Sequence, residues 1–248
     1  MNAQRFFDIL FSGTALIVLS PLLIPVMIVL KLTGEHEIFY VQQRVGKGGK
    51  KFGLLKFATM LKDSPNMGTG TITVKNDPRV LPVGRFLRKT KINELPQLIN
   101  ILKGDMSVIG PRPQDMRCFV VFDKEDQEKI KSVRPGLSGI GSIIFRDEEA
   151  ILGRAEITDK EAFYDNVISP FKGKVESWYV DNQSLYLYFL LIGLTVFVVL
   201  FPSYQVPYDK LFKGIPKPPA KIRWARRRNN KERAPRHETE QENRVQSA

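Results

Sequence analysis

The sequence has few of the side chains that form disulfides or bind transition metals. Its 248 residues include one cysteine, Cys118, and two histidines, His36 and His237. A single cysteine excludes an intramolecular disulfide and is typical of a reducing compartment. Because no cluster of cysteine and histidine has the spacing of a zinc site, any bound metal is expected to be a hard cation held by oxygen atoms. The sequence therefore favours Mg²⁺ on a carboxylate and on substrate phosphates.

Charge is also missing from two stretches, and the first of them covers residues 9–30. Its 22 residues are enough to cross a bilayer as a straight helix. Pro21 and Pro25 lie inside it, and a proline in a helix removes a hydrogen bond and forces a kink. The kink permits a re-entrant helix that enters the membrane and returns, with Arg5 and Lys31 on one side. From the residues alone, a kinked helix that spans the membrane fits equally well.

The second uncharged stretch covers residues 185–202. The 17 residues before Pro202 are at the short limit for a membrane span. They are apolar on every side, so the helix that they form must be buried in protein or in lipid. Because basic residues both precede and follow it, a spanning orientation would leave one positive flank outside. The sequence therefore favours deep interfacial insertion of residues 185–208.

Positive charge is concentrated near the C-terminus. The chain carries a net charge of +12, and residues 209–236 contribute +9 through eleven Lys and Arg against two acidic residues. This composition predicts a disordered basic tail over residues 209–248. Few aromatic residues separate the basic ones and an apolar segment directly precedes them, which favours attraction to anionic lipid over nucleic-acid binding. The sequence therefore predicts no nucleic-acid partner, and a solvated tail without any partner is the alternative.

Between these segments, residues 35–184 predict a compact body of the α/β class, helix-rich and of the α+β type. Short strands are expected over residues 37–42 and 51–57, joined by a glycine-rich turn. The turn lacks the spacing of a nucleotide-binding fingerprint, so a plain hairpin turn is favoured. Lys56, near the end of the second strand, is the candidate contact for a donor phosphate. The predicted segments are 1–34, 35–184, 185–208 and 209–248.

The most informative stretch covers residues 84–113. Within it, Asn93, Glu94 and Pro96 form a helix-start pattern, with a capping side chain, a carboxylate in the first turn and a proline whose missing N–H needs no partner. Gly104 is expected to end this helix. The N–H groups at the helix start attract phosphate, and basic residues lie just upstream. The stretch therefore predicts an anion site, although capped amphipathic helices also occur in inert domains.

Two arginines of the same stretch are candidate phosphate contacts. Arg88 belongs to the basic run before the helix, and Arg112 lies between Pro111 and Pro113. The fixed φ angles of the prolines restrict the backbone, and with it the direction of the guanidinium. A planar donor held in this way suits a pair of phosphate oxygens.

Several blocks of the chain, in order, resemble the bacterial sugar transferase family, the monotopic polyprenyl-phosphate phosphoglycosyltransferases. The blocks are RFFD at the start of the apolar helix, VQQRVGKGGKKFGLLKFATM (41–60), NDPRVLPVGRFLR (76–88), NELPQLINILKGDMSVIGPRP (93–113) and VRPGLSGIGSI (133–143). The resemblance implies transfer of a sugar 1-phosphate from a nucleotide-diphosphate sugar, with a UDP-sugar favoured, to a membrane polyprenyl phosphate with Mg²⁺. It also implies a re-entrant first helix at the cytoplasmic face of the bacterial inner membrane, and the initiating step of polysaccharide assembly.

One departure from the family pattern bears on the chemistry. The resemblance implies Asp-Glu, with the aspartate as nucleophile, where this chain has Asn93-Glu94. A neutral amide oxygen is a poor nucleophile, and it has no negative charge to regain when a covalent intermediate breaks down. Four interpretations stay open: Glu94 is the nucleophile, Asp105 reaches the site, the displacement is direct, or the chain is an inactive scaffold on the membrane. A fifth is that Asn93 is an introduced substitution.

The residue types and the resemblance together give a candidate site. The catalytic candidates are Asn93, Glu94 and Asp105, and Glu94 is also the expected Mg²⁺ ligand. The candidates for substrate binding are Lys56, Arg88, Arg112, Arg134 and Arg146. Because these charged residues are all present, an active enzyme is favoured over an inactive one. Arg134 and Arg146 flank a glycine-rich block that either contacts the nucleotide or sugar or is purely structural, and a homodimer is among the open assemblies.

Overall fold

A computed structural model gives the structure of the protein and describes residues 3–67, 77–154 and 157–222. The fold is a mixed, helix-rich α/β arrangement, as predicted. Its helices are α1 (Ala3–Leu32), α2 (Pro82–Lys89), α3 (Gln97–Lys103), α4 (Met116–Val120), α5 (Lys124–Ser132), α6 (Ile140–Ile144), α7 (Glu148–Leu152), α8 (Lys160–Phe163), α9 (Ser169–Asp181), α10 (Leu185–Leu200) and α11 (Tyr208–Leu211). Its strands are β1 (Phe39–Val45), β2 (Lys51–Phe57), β3 (Ser107–Ile109) and β4 (Gly136–Ser138).

Strands β1 and β2 form the predicted antiparallel hairpin. The predicted bounds of β2 are confirmed, whereas β1 begins and ends later than predicted, because Val45 still pairs with Lys51 and donates its N–H to the carbonyl of Gln114. The tight turn between the strands places Gly48 and Gly49 at positive φ, which glycine adopts without strain. The hairpin therefore extends further along β1, toward the Pro-rich loop at 111–113.

Strands β3 and β4 form a short parallel pair. Gly110 follows β3, and a Cβ on either Gly136 or Gly139 would collide with the backbone of Gly110. The glycines of the block after residue 134 therefore allow two backbones to approach closely. This packing is a structural use of the glycine-rich block.

Helix α1 lies along the body with one face buried. Its buried positions, Asp8, Leu23 and Leu30 among them, recur with a helical period. The opposite face is apolar and exposed, with Ile17 at 76% exposure and Val18 at 68%. Among the described residues, α1 is the one helix that is long and apolar enough to cross a membrane, judged by length and composition.

Two prolines lie inside α1 without ending it. The helix runs from Ala3 to Leu32 with Pro21 and Pro25 in its interior, and both prolines are on the exposed side. The half of α1 that contains them packs through Leu23 and Leu30 against residues of β2 and α2. The buried face of α1 therefore continues past both prolines.

A buried aspartate fixes the start of α1. Asp8 is 1% exposed, and its Oδ1 accepts hydrogen bonds from Ser107 Oγ (2.8 Å), Val108 N (2.9 Å) and Tyr188 OH (3.0 Å). A buried carboxylate needs such donors, since an unpaired one would be costly. These bonds join α1 to β3 and α10, and they explain the single acid in an otherwise apolar helix.

Helix α10 begins at Leu185, where the predicted apolar segment begins. The Ser184 hydroxyl caps it by accepting a hydrogen bond from the N–H of Leu187 (3.1 Å). Leu187, Tyr188 and Leu191 are buried against the body, whereas Val199 and Leu200 are 63% and 68% exposed. One side of this apolar helix is thus buried in protein, and the other side is exposed.

The segment after α10 returns to the body. Tyr208, Phe212, Ile215 and Ile222 belong to the main hydrophobic core, and the Phe212 ring contacts that of Trp178 at 5.6 Å between centroids. The prediction of disorder from residue 209 was therefore wrong for residues 209–222, because apolar side chains alternate with the lysines there and are buried. The rest of the predicted tail, residues 223–248, lies outside the described residues.

Candidate active site

The helix start predicted at Asn93 lies elsewhere. Residues Ile92–Glu94 form a single 3₁₀ turn, entered through Lys91 in a left-handed conformation (φ 62°), and α3 begins only at Gln97. The side chain of Asn93 caps nothing, so that prediction was wrong. Gly104 ends α3 in a left-handed conformation (φ 95°), as predicted.

Asn93 is nevertheless an unusual residue. It is 7% exposed, and its Oδ1 has no hydrogen-bond partner among the described residues. A buried amide oxygen without a donor costs free energy, so such a group in a native fold calls for an explanation. Asn93 lies in the same 3₁₀ turn as Glu94 and directly precedes it.

Glu94 and Arg112 form the centre of the site. Arg112 Nη2 lies 3.2 Å from Glu94 Oε1. Burial tends to raise the pKa of Glu94, but Arg112, and after it Lys56 and Lys91, outweigh burial and lower that pKa to about 2. Glu94 is therefore ionised at every physiological pH.

Lys56 faces the same site from strand β2. Its Nζ donates to Gln42 Oε1 at 3.2 Å. Burial lowers the pKa of Lys56 to about 8; Glu94 opposes this shift, and the neighbouring Arg44, Arg112 and Arg88 add to it. Lys56 is thus close to several cations, and a bound anion would raise its pKa.

Arg44 is a member of the site that sequence reasoning missed. It lies on β1, its Nη1 is 3.2 Å from Asp115 Oδ2, and burial together with nearby Arg112 lowers its pKa. In the hairpin register Tyr40 pairs with Lys56, so every second residue of β1 shares the face of Lys56. This alternation would have placed Arg44 on the face of Lys56 if the predicted strand had continued past residue 42.

Arg88 completes the group of cations. It lies in the last turn of α2, and its Nη1 contacts Met60 Sδ at 3.5 Å. In the described part of the chain, neither Arg88 nor Lys56 forms an ion pair with a carboxylate. Two basic side chains at the site are therefore available to an anionic ligand.

Asp105 is not part of this group. It lies beyond the C-terminal end of α3, whereas Glu94 precedes the start of α3, and a helix of seven residues is about 10 Å long. Its carboxylate accepts a hydrogen bond from Asn100 Nδ2 at 3.2 Å. The structure thus places Asp105 at the far end of α3 from Glu94.

Two of the predicted substrate arginines, Arg134 and Arg146, donate hydrogen bonds to backbone carbonyls. Arg134 Nε donates to Gly104 O at 2.9 Å, at the end of α3. Arg146 Nη2 donates to Tyr204 O at 2.9 Å, in the segment that follows α10. Neither residue is among the charged neighbours that shift the pKa of Glu94 or Lys56.

The site lies against the apolar helix. Ile92 and Leu95, on either side of Glu94, pack with Leu23 and Leu30 of α1 in one hydrophobic cluster. The exposed face of α1 is on the other side of the same helix. The turn that carries Glu94 and the exposed apolar face of α1 therefore lie on opposite sides of one helix.

This chain matches a known family over most of its length. A sequence model described as bacterial sugar transferase covers residues 1–202. The chain belongs to the bacterial sugar transferase family. The predicted family resemblance is thereby confirmed.

Three relatives show the range of this family. The exopolysaccharide production protein ExoY of Rhizobium meliloti (strain 1021) is 33% identical over 78% of this chain and 84% of ExoY. The UDP-N-acetylgalactosamine-undecaprenyl-phosphate N-acetylgalactosaminephosphotransferase of Aeromonas hydrophila is 34% identical over 79% of this chain and 43% of its own length. The undecaprenyl-phosphate galactose phosphotransferase of Salmonella typhimurium (strain LT2) is 33% identical over 79% of this chain and 40% of its own. The match thus covers less than half of the last two proteins.

Proposed function

We propose that this chain transfers a sugar 1-phosphate from a nucleotide-diphosphate sugar, with a UDP-sugar favoured, to a membrane polyprenyl phosphate. The observation that carries the proposal is the grouping of Lys56, Arg88 and Arg112 with Glu94 beside the apolar helix α1. A diphosphate and a phosphate repel one another, so cations must neutralise them before they can react. Relatives named for undecaprenyl-phosphate chemistry and for exopolysaccharide production support this substrate class and the initiating step of polysaccharide assembly.

Each cation has a distinct role in the proposal. Arg112 presents a planar guanidinium whose position is set by its ion pair with Glu94, and it binds the donor diphosphate. Lys56, whose pKa of about 8 leaves it partly deprotonated in the free protein, is fully protonated once diphosphate binds. Arg88, without an ion pair of its own among the described residues, binds the acceptor phosphate.

The residues of the site also fit Mg²⁺. Glu94 is an ionised carboxylate, and Asn93, the preceding residue, has a buried Oδ1 without a hydrogen-bond partner among the described residues. Among the described residues no cluster of three or more His, Cys, Asp or Glu could hold a metal ion, so substrate phosphates must supply the remaining ligands. Glu94 and Asn93 would hold the ion, which would neutralise the donor diphosphate as the bridging oxygen leaves.

The geometry favours a direct displacement over a covalent intermediate. Glu94, with a pKa of about 2 and a partner in Arg112, is a weak nucleophile, and Asp105 lies at the far end of α3. An oxygen of the polyprenyl phosphate therefore attacks the β-phosphorus of the donor. The bond from that phosphorus to the bridging oxygen breaks, and the electron pair leaves with the nucleoside monophosphate.

The products test this function. Purified protein in lipid nanodiscs is expected to release nucleoside monophosphate from a UDP-sugar only when polyprenyl phosphate and Mg²⁺ are both supplied. Omitting either one, or adding a chelator, serves as the control. Release of nucleoside diphosphate would contradict the proposal, because it would mean that the sugar leaves without its phosphate.

A second candidate is a scaffold without activity, and Asn93 is the observation that favours it. The asparagine occupies a buried position next to Glu94 with an unused oxygen. That oxygen is where the resemblance places an aspartate nucleophile. In this case the cations bind both substrates at the membrane without turnover.

We also propose that the protein sits in one leaflet, at the cytoplasmic face of the bacterial inner membrane. Both ends of α1 contact the same body, through Asp8 near its start and Leu30 near its end. If α1 spanned the bilayer, its two ends would lie on opposite sides of the membrane, and both could not contact the same body. The exposed apolar faces of α1 and α10 instead enter the membrane together, with α1 re-entrant and α10 interfacial.

Labelling tests this arrangement. In an Asn2→Cys variant with Cys118→Ser, a membrane-impermeant thiol reagent added to intact cells is expected to leave the new cysteine unmodified. The same reagent is expected to modify it after the cells are opened. Modification in intact cells would contradict the one-leaflet arrangement, since residue 2 would then lie outside.

A further inference from the structure

Two side chains hold the backbone of Arg112: Gln114 Nε2 donates to its carbonyl at 3.1 Å, and a carboxylate of α9 accepts from its N–H. Because Pro111 and Pro113 have no N–H, Arg112 supplies the only backbone donor of this tripeptide. That N–H donates to Glu176 Oε1 at 3.1 Å. Glu176 lies on α9 and is 1% exposed.

The surroundings of Glu176 are shaped for a carboxylate. A Cβ on Gly141 would collide with Glu176 Oε1, so the glycine of α6 makes room for it. The other oxygen, Oε2, has no hydrogen-bond partner among the described residues. Lys172, one turn earlier on α9, pairs instead with Glu148 Oε2 at 2.7 Å. Among the described residues, Glu176 is thus buried with one hydrogen bond, and that bond goes to Arg112.

We propose that Glu176 is a positioning residue, which fixes the backbone of Arg112 and thereby aims its guanidinium at Glu94 and the donor diphosphate. The proposal rests on the proposed function. A buried carboxylate with one hydrogen bond is destabilising compared with an apolar side chain of similar size. The fold gains little from Glu176, so its contribution lies in the site that it supports.

Protonation gives this role a distinct signature. Burial raises the pKa of Glu176 to about 7, although the N–H of Arg112 and the charges of Lys172 and Arg112 oppose that shift. The charged groups that face Glu176 are Arg112 from the Pro-rich loop and Lys172 from its own helix, with its partner Glu148. The neutral Tyr179 hydroxyl also lies near Glu176. The ionised form accepts the stronger hydrogen bond, so Arg112 is held most firmly above about pH 7.

The test compares wild type with Glu176→Gln across pH. Below about pH 6 the wild-type carboxyl is protonated and nearly isosteric with glutamine, so the two enzymes are expected to have similar kcat. Above about pH 8 the wild type is expected to exceed the variant by roughly 10-fold in kcat, with little change in the KM for polyprenyl phosphate. Glu176→Asp is expected to keep a pH-dependent advantage over Glu176→Gln.

Two controls separate positioning from a structural role. Asp126 is also a buried carboxylate with an unpartnered oxygen, but it accepts from Ser177 and makes no contact with Arg112. Asp126→Asn is expected to leave the pH profile of kcat unchanged. In an Arg112→Ala background, Glu176→Gln is expected to have no further effect, because nothing remains to be positioned. The proposal would be overturned if the ratio of the wild-type kcat to the Glu176→Gln kcat were constant with pH. It would also be overturned if Glu176→Gln lowered kcat by the same factor in the Arg112→Ala background as in the wild type.

Discussion

Arg112→Ala is expected to lower kcat/KM for the sugar nucleotide by about 10³-fold, because the site loses the guanidinium that is proposed to bind the donor diphosphate, and Glu94 loses its ion-pair partner. Membrane association is expected to stay intact, since Arg112 makes no contact with the exposed faces of α1 and α10. The measurement is product release in nanodiscs, with a flotation assay for membrane binding. The effect should be the largest loss caused by changing any one cation of the site.

Arg117→Ala is the matched control for this prediction. Arg117 is also an arginine with carboxylate partners, Glu161 and Asp165, but its ion pairs are partly exposed, and it is not among the charged neighbours that shift the pKa of Glu94. Removing it is expected to change activity less than about 3-fold, since exposed ion pairs contribute little. Equal losses in both variants, or a loss of fold only in Arg112→Ala, would assign Arg112 a structural role.

Asn93→Asp is expected to change the order of events in the reaction. The new carboxylate replaces an oxygen that has no hydrogen-bond partner among the described residues, in the same 3₁₀ turn as Glu94. Given a sugar nucleotide and Mg²⁺ without polyprenyl phosphate, the variant is expected to release about one equivalent of nucleoside monophosphate per site as a phosphosugar intermediate forms. The chain with Asn93 is expected to release none under the same conditions.

Asn166→Asp is the control for the charge change, because Asn166 is exposed and donates to Ala162 O. It is expected to give no burst. The absence of a burst from Asn93→Asp, with turnover unchanged, would show that position 93 does not face the β-phosphorus. A burst from the chain with Asn93 itself would instead mean that another group, Glu94 foremost, is the nucleophile.

The sequence predicted the elements whose signals are local. The bounds of β2 follow from its short strand pattern after a glycine-rich turn. The end of α3 follows from Gly104, because glycine readily adopts the left-handed conformation that ends a helix. The start of α10 follows from the uncharged stretch that begins at Leu185. The grouping of Lys56 with Glu94 and Arg112 was also implied by the family resemblance. Each of these features depends on a few neighbouring residues or on a shared motif.

The features that the sequence did not predict depend on contacts between residues distant in sequence. The left-handed Lys91 turns the chain before Asn93, so a residue with good capping chemistry is buried in a 3₁₀ turn instead. Arg134 and Arg146 donate to carbonyls of segments that no local pattern connects to them. Residues 209–222 carry a basic composition, but packing of Phe212 and its neighbours against α9 decides their structure.

The fate of the donor's β-phosphorus tests the central claim most directly. A UDP-sugar that carries radioactive phosphorus at the β position is incubated with the protein, polyprenyl phosphate and Mg²⁺ in bilayers, and lipid and water phases are then separated. The label is expected to move into the lipid phase together with the sugar, and Arg112→Ala is expected to slow this transfer by about 10³-fold. Label that stays in the water phase for both the chain with Asn93 and its Asn93→Asp variant would contradict the account.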